Sequence, residues 1–308
     1  MEDKNKYLSI CIPTYNRYFY LIQNLNIMIK YFEKYNIEII ISDNNPIRND
    51  VFLKYINELK EEYPYIKYHR NEVNIGADIN MIQVLSMSES EYSLWLGDDD
   101  ILDDNFFDRF FSIELEKDYD FILLNDSSID ENLIIKGKDF RRSKDIVYHN
   151  LIDLFKNHVS DMPFGSLIVK NKYLQEVNLK KYFGTYHAYS GYVWEYLNLI
   201  DDSREINVLV SNHLKVYSIN CSKTWSNRSF QIYYFNIPQW FLSLPSKIEK
   251  ISKLTLEEYL TEIYSNSFLI NNIKYIDELK NVPYKLSEVH RKNLNLVQSI
   301  RNKYYLHS

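Results

Sequence analysis

A chain of 308 residues with 45% hydrophobic and 25% charged side chains is globular in composition, which excludes wholesale disorder and allows one large α/β domain with an appendage, or two domains. The formal charge of −6 argues against a nucleic-acid binder, which needs a net basic face. Cys11 and Cys221 have no metal-type spacing, so a zinc ribbon and a disulfide scaffold are both excluded; with no signal peptide and no apolar run of the roughly 18 residues that span a bilayer, a cytoplasmic protein is the expectation.

Tyr7 to Pro13 is a nearly continuous apolar run, as in a buried parallel strand, and Cys11 within it reads as a small buried hydrophobe. Arg17 to Tyr35 carries Leu21, Leu25, Met28, Ile29 and Phe32 at helical spacing. A second strand, Ile37 to Ser42, ends in the turn cluster Asp43-Asn44-Asn45-Pro46, and Val51 to Tyr63 is again helical. Ile66 to Arg70 reads as a third strand, Asn74-Ile75-Gly76 as a turn, Ile79 to Met87 as a short helix and Glu91 to Leu96 as a fourth strand that runs into Gly97-Asp98-Asp99-Asp100. Strands alternating with helices predict βαβ units and a mainly parallel sheet.

The second part is less regular. Phe106 to Leu115 reads as helix, Tyr119 to Asn125 as strand, Ile146 to Asn157 as helix, Gly165 to Val169 as strand and Tyr192 to Ile200 as helix. Ile206 to Tyr217 fits a strand or a hairpin. Beyond Pro245 the pattern is amphipathic helix, from Leu256 to Ile276 and from Ser287 to Tyr305, in a slightly basic tail rich in Tyr and Lys.

In an open α/β sheet the ligand lies beyond the carboxyl ends of the strands. Three polar clusters fall there: Thr14-Tyr15-Asn16-Arg17, Asp43-Asn44-Asn45 and Asp98-Asp99-Asp100. The first could simply cap a helix and the second could be only a turn. Three consecutive carboxylates are harder to dismiss, because like charges repel unless a cation or solvent intervenes. Mg²⁺ or Mn²⁺ takes one or two carboxylates plus substrate phosphates, so the combination suggests a metal-bound nucleoside diphosphate. GxGxxG and GxxxxGK(S/T) are both absent, which leaves no glycine nest for phosphate, and neither HExxH nor GxSxG occurs.

These blocks in order, Leu8 to Arg17, Ile39 to Asn44, Asn74-Ile-Gly76 and Trp95 to Leu102, resemble glycosyltransferase family 2, and NIGAD followed by LGDDD is most similar to its abequosyltransferase-like branch, which serves surface-polysaccharide assembly. Phe164 to Val169 extends the match more weakly. The resemblance implies a GT-A fold, an α/β architecture with a mainly parallel Rossmann-like sheet flanked by helices, and here a helical C-terminal extension. The domains expected are a transferase domain over 1–235, split into a nucleotide-sugar half over 1–105 and an acceptor half over 106–235, and the extension over 236–308.

The resemblance further implies a metal-dependent hexosyltransferase-type enzyme, inverting by family default. It would move sugar from a nucleoside-diphosphate donor to a hydroxyl of a glycan or lipid-linked glycan. Pro13, Thr14, Tyr15, Asn16 and Arg17 would line the base and ribose, with Tyr15 placed to stack. Asp43 would accept from the base imide, which favours uridine, and Asn74, Gly76 and Asp78 would border the same pocket. The family's metal motif reads Asp-x-Asp-Asp; here Gly97 takes the first position, Asp99 is the matching ligand for Mn²⁺ or Mg²⁺, Asp98 supports it towards ribose or water, and Asp100 is a second metal-side carboxylate that orients the loop.

The family's catalytic base, an Asp in a Glu-Asp pair before a Trp-containing helix, falls here on Tyr189 and Ser190. His187 is the nearest group able to accept a proton near neutral pH, and Glu195, farther into the helix, is the alternative. His149 and His213 are weaker candidates for assisting the metal. The tail helices offer a face for a membrane surface, at the inner side for a cytoplasmic protein, although a helical cap or a dimer interface is the plainer reading. A nucleotidyltransferase shares the architecture but wants a Gly- and Arg/Lys-rich first loop, and a catalytically lapsed nucleotide- or glycan-binding protein is the other alternative.

Overall fold

The computed structural model describes residues 7–113, 117–129, 142–219 and 228–304; Cys221 and the ends of two expected helices, near 115 and 305, lie outside them. The residues form two compact units, one of 1–178 with 188–222 and one of 179–187 with 223–308.

In the first unit the run Leu-Ser-Ile-Cys-Ile forms β1 (Leu8–Thr14), which is apolar on both faces because both are covered. β2 (Glu38–Asp43) and β3 (Ile66–Arg70) add in parallel on one side, and β4 (Tyr92–Trp95) pairs in parallel on the other. Burial of Cys11 pushes its thiol up to about 12, in keeping with a packing role. The helical connections are α1 (Tyr18–Met28), the short α2 (Phe32–Tyr35), α3 (Asp50–Glu62) and α4 (Ala77–Ser86). The expected helix over 17–35 is thus interrupted by a 3₁₀ turn at Ile29–Tyr31 and ends at Asn36, which adopts the left-handed conformation.

The rest of this unit comprises β5 (Asp100–Leu102), α5 (Phe106–Ile113), β6 (Phe121–Ile129), β7 (Ile146–Tyr148), α6 (Leu151–His158), β8 (Leu167–Lys170), α7 (Ala188–Leu199) and β9 (Val208–Ile219). Strand order is β3-β2-β1-β4-β8-β6-β9-β5, with β7 also on β9. The pairings of β8, β5 and β7 are antiparallel, so the sheet is mainly parallel. The helix expected over 146–157 divides because the Asn150 side chain accepts from the amides of Ile152 and Asp153 (2.9 and 3.1 Å), starting α6 only at Leu151 and leaving 146–148 to pair with β9. The 206–217 segment is one strand. It bulges at Ser211–Leu214, where the Ser211 hydroxyl accepts from two amides, and the β6 register jumps from Val210 to Lys215.

The second unit is helical: α8 (Ser229–Gln231) continues through a π-turn into α9 (Ile237–Leu242), followed by α10 (Glu249–Ile263), α11 (Asn266–Asn271) and α12 (Glu288–Tyr304). The expected helix over 256–276 begins earlier and breaks after Ile263, and 273–281 is 3₁₀. Its core is aromatic: the Tyr264 and Tyr284 hydroxyls share a hydrogen bond at 3.0 Å, and Tyr284 also donates to the Tyr234 carbonyl at 2.7 Å.

Candidate functional site

The chain builds β1, β2 and β3 outward in one direction, then returns through α4 to place β4 on the other side of β1. That reversal is a topological switch point, where two adjacent strands lead into loops that turn opposite ways and leave a crevice at their carboxyl ends. Thr14 ends β1 and Asp98 follows β4, and their side chains meet there: the Thr14 hydroxyl donates to Asp98 Oδ2 at 2.7 Å. Arg17 pairs with Asp98 Oδ1 and reaches Asp99 Oδ2 at 2.5 Å, while the Asn24 amide holds the Asp98 carbonyl at 3.0 Å. Burial pushes the Asp98 carboxyl up to about 6; Arg17 opposes that shift, Asp99 adds to it, and the Thr14 hydrogen bond again opposes it. Desolvation works to lower the Arg17 pKa, but Asp98 and Asp99 outweigh it and hold the guanidinium above its ordinary value.

Asp100 faces elsewhere. Its Oδ2 accepts the Gly97 amide at 3.1 Å and lies 2.5 Å from where a Cβ on Gly97 would stand and 2.0 Å from where one on Gly165 would stand. Two glycines therefore make the niche this carboxylate fills, and Gly165 has φ +90°, which L side chains rarely adopt. Burial, with Asp99 next in effect, pushes Asp100 up to about 8. Asp99 Oδ1 lies 3.3 Å from the same Gly97 Cβ position, so the two carboxylates border one point of the loop.

Asp43 is buried at the end of β2. Its Oδ2 accepts the hydroxyls of Tyr18 (3.0 Å) and Tyr68 (2.9 Å), and Oδ1 accepts the Asn45 amide (3.0 Å). A carboxylate offers about four acceptor positions, so these bonds leave room for about one more. Asn44 ties the neighbouring loop: its amide donates to Asn74 Oδ1 at 3.0 Å and the Gly76 carbonyl at 3.3 Å, and its carbonyl accepts from Ile75 N at 2.9 Å. Asn74 and Gly76 are thereby joined to the Asp43 turn, and Asp78, buried in α4, accepts the Ala188 amide at 3.0 Å, at the amino end of α7. Pro13 lies within β1, Tyr15 is half exposed, and Asn16 is left-handed at φ +59°. The residue signals did not single out Tyr18, Tyr68, Asn24 or Gly165, whose roles depend on which strand ends become neighbours.

His187 belongs to the second unit. Its amide donates to the Thr185 hydroxyl at 3.1 Å, and its Nδ1 lies 2.8 Å from the Thr185 carbonyl. A carbonyl only accepts, so Nδ1 carries the proton of the neutral ring and Nε2 is the basic nitrogen. The ring faces Trp240 at 6.1 Å, and the preceding Tyr186 is held at φ +63°, an uncommon conformation for a bulky side chain. Glu195 sits partly buried on α7 in the first unit, and Tyr189 and Ser190, where a Glu-Asp pair was expected, are buried. His149 Nδ1 donates to the Ile206 carbonyl at 3.2 Å, and His213 Nε2 lies 3.9 Å from Asp145, so the structure places each against a partner other than Asp99.

Among the described residues no group of three His, Cys, Asp or Glu could hold a metal by itself. Asp99 is the partly exposed member of the triplet. Among the described residues no helix is long and apolar enough to cross a membrane.

The family model described as Glycosyl transferase family 2 matches residues 9–165. Over 98 residues the chain is 42% identical to abequosyltransferase RfbV of Salmonella typhimurium, a stretch that covers 31% of this chain and 28% of that relative, so the match spans under a third of the relative's length. Among solved structures, S. aureus TarS 1-349 in complex with UDP superposes with a TM-score of 0.63 at 17% identity, covering 97% of this chain and 93% of that one. The same protein in complex with UDP-GlcNAc gives 0.61 at 16%, covering 98% and 92%. GalNAc-T7 with UDP, GalNAc and Mn²⁺ gives 0.51 at 14%, covering 84% and 55%. At these identities the structural likeness is one of fold, and the fold is the expected GT-A. With more than half of its residues inside the family match, and with Thr14, Arg17, Asp98 and Asp99 gathered at the switch point, the chain belongs to glycosyl transferase family 2.

Proposed function

We propose that this protein transfers a sugar from a nucleoside-diphosphate donor, of the uridine type, to a hydroxyl of a glycan or lipid-linked glycan in surface-polysaccharide assembly, with inversion at the anomeric carbon. The observation that carries the reading is the Thr14–Arg17–Asp98–Asp99 cluster at the switch point. The UDP and UDP-GlcNAc complexes of TarS and the UDP–Mn²⁺ complex of GalNAc-T7, which share the fold, support a nucleotide-sugar donor and a divalent cation. The partial match to an abequosyltransferase supports a sugar acceptor.

In this reading Tyr15 stacks on the base, and the remaining acceptor position of Asp43 takes the imide N–H. Asp98 is held for the ribose by Thr14, and Asp99 holds Mn²⁺ or Mg²⁺ against the donor phosphates. The cation, when bound, neutralises charge on the departing diphosphate. Arg17 supplies a second positive charge beside the phosphates, and it already stands between Asp98 and Asp99.

The expected result of a thermal-shift screen is that UDP raises Tm more than GDP or ADP, and more again with Mn²⁺; at about 100 times Kd, binding stabilises by about 2.7 kcal/mol. Absence of nucleotide selectivity would remove the donor-site assignment, and a cytidine preference would change only the base. Donor turnover in the presence of Mn²⁺ separates an enzyme from a lapsed nucleotide-binding protein, which binds without turning over.

His187 is proposed as the base that deprotonates the acceptor hydroxyl, through Nε2. His187→Ala is expected to lower turnover by about 10²-fold, the lower end for a lost general base, with an unchanged UDP thermal shift. Normal transfer by His187→Ala together with a dead Glu195→Gln would assign the base to Glu195 instead.

A further inference from the structure

The carboxylates at the switch point have a cation of their own. The Arg17 guanidinium forks over two of them, with Nη2 on Asp98 Oδ1 and Nη1 on Asp99 Oδ2 at 2.5 Å. The two carboxylates depend on it unequally. Asp98 is buried, and it also accepts the Thr14 hydroxyl at 2.7 Å while its carbonyl takes the Asn24 amide at 3.0 Å. Asp99 is partly exposed, and its Oδ2 is the atom the guanidinium engages. Arg17 is itself partly exposed, and its main chain is held as the residue before α1, where its carbonyl accepts the Leu21 amide at 3.3 Å. A change of partner by the guanidinium therefore needs only rotation of the side chain.

A divalent cation of the Mg²⁺ or Mn²⁺ type takes one or two carboxylates and completes its shell with water and substrate phosphates. At Asp99 it meets a further obstacle, because the guanidinium sits on the same carboxylate and like charges at that range repel. A nucleoside diphosphate changes both conditions. Its phosphate oxygens offer the guanidinium the kind of anionic pair that Asp98 and Asp99 offer, and they supply the oxygens that one carboxylate lacks. We infer, on the donor-site reading proposed above, that Arg17 is the resident counter-ion of Asp98 and Asp99 and passes to the donor's diphosphate on binding, so that Asp99 accepts a divalent cation only with the nucleotide present. Asp98 keeps Thr14 and exchanges the guanidinium for the ribose hydroxyls assigned to it. Position 17 thereby sets the order in which the site fills, nucleotide before metal.

The test reads binding and not transfer. Mn²⁺ bound by the full chain is measured from the loss of the free ion's paramagnetic resonance signal, with and without UDP, and UDP binding without metal is measured by calorimetry. The wild type is expected to bind Mn²⁺ about tenfold or more tightly with UDP than without it. Arg17→Gln should bind Mn²⁺ alone about tenfold more tightly than the wild type, and UDP alone about tenfold more weakly, the scale of a charge-assisted contact. The opposite signs are diagnostic, since a residue that only supports the loop would weaken both. Adding Asp99→Asn to Arg17→Gln should erase the gained Mn²⁺ affinity, which assigns the gain to Asp99 and not to the acidic surface. If buried Asp98 without its counter-charge keeps Arg17→Gln from folding, the same comparison is made on an Asp98→Asn background, with the same gain expected. Equal Mn²⁺ affinity with arginine and glutamine at 17, or an unchanged UDP affinity in Arg17→Gln, would overturn the inference and leave the donor site standing. Failure of the wild type to bind UDP would remove the donor-site reading and the inference with it.

Discussion

Asp99→Asn is expected to lower Mn²⁺-dependent sugar transfer by about 10²–10³-fold, the scale on which one preorganised electrostatic contact to a developing charge contributes. Of the three consecutive carboxylates, Asp98 and Asp100 are buried, and Asp99, which pairs with Arg17 at 2.5 Å, is the partly exposed one and the proposed ligand. Asparagine keeps the shape of Asp99 and removes its charge, so the loop should persist and stability should change by no more than about 0.5 kcal/mol, as for an ion pair near the surface. The direct readout is the UDP thermal shift, which should lose its Mn²⁺ increment in the variant while the metal-free shift remains. Asp103→Asn is the control: Asp103 directly follows β5 and pairs with Arg109 at 2.9 Å, and its loss should leave transfer near wild type. Equal activity in the two variants would place the metal elsewhere.

The largest loss of stability is expected at a glycine. Gly165→Ala would put a methyl 2.0 Å from Asp100 Oδ2 at a residue whose φ is +90°. Overpacking of a filled niche and a left-handed alanine each cost on the order of 1–3 kcal/mol, so a loss of about 3 kcal/mol is expected in urea unfolding. For a unit of this size that corresponds to a fall of roughly 6–12 °C in Tm. Gly165→Ala combined with Asp100→Ala should recover the steric part and leave only the backbone strain, so the two changes should be strongly non-additive. A neutral Gly165→Ala would mean that the Asp100 carboxylate lies outside this niche. The same geometry bears on Gly97, where a Cβ would meet Asp100 Oδ2 at 2.5 Å. An aspartate at 97, as in the family's usual motif, and the inward-turned Asp100 compete for one space.

By itself the sequence determined the family, the first four strands, and the polar clusters that end three of them. Those features are local: a two-sided buried strand reads as an unbroken apolar run, and a carboxylate triplet after it stands out at any fold. Thr14, Arg17, Asp98 and Asp99 are legible as candidate site residues for the same reason. Only the tertiary structure decided how these residues divide their roles, because that depends on contacts across more than eighty positions, such as Thr14 with Asp98 and Arg17 with Asp99. The carboxylate of Asp78 takes an amide that α7 supplies from 110 residues away, a partner no local pattern announces. The two tyrosines that hold Asp43, at 18 and 68, come from different elements, and Asp100 is aimed by a glycine 65 positions downstream. The later elements were less legible because short strands and helices of the same apolar content differ by capping and pairing, as at 146–158, where one asparagine and a strand partner override the periodicity. Periodicity records which face is buried, whereas the site is built by the strand ends that the topology makes neighbours.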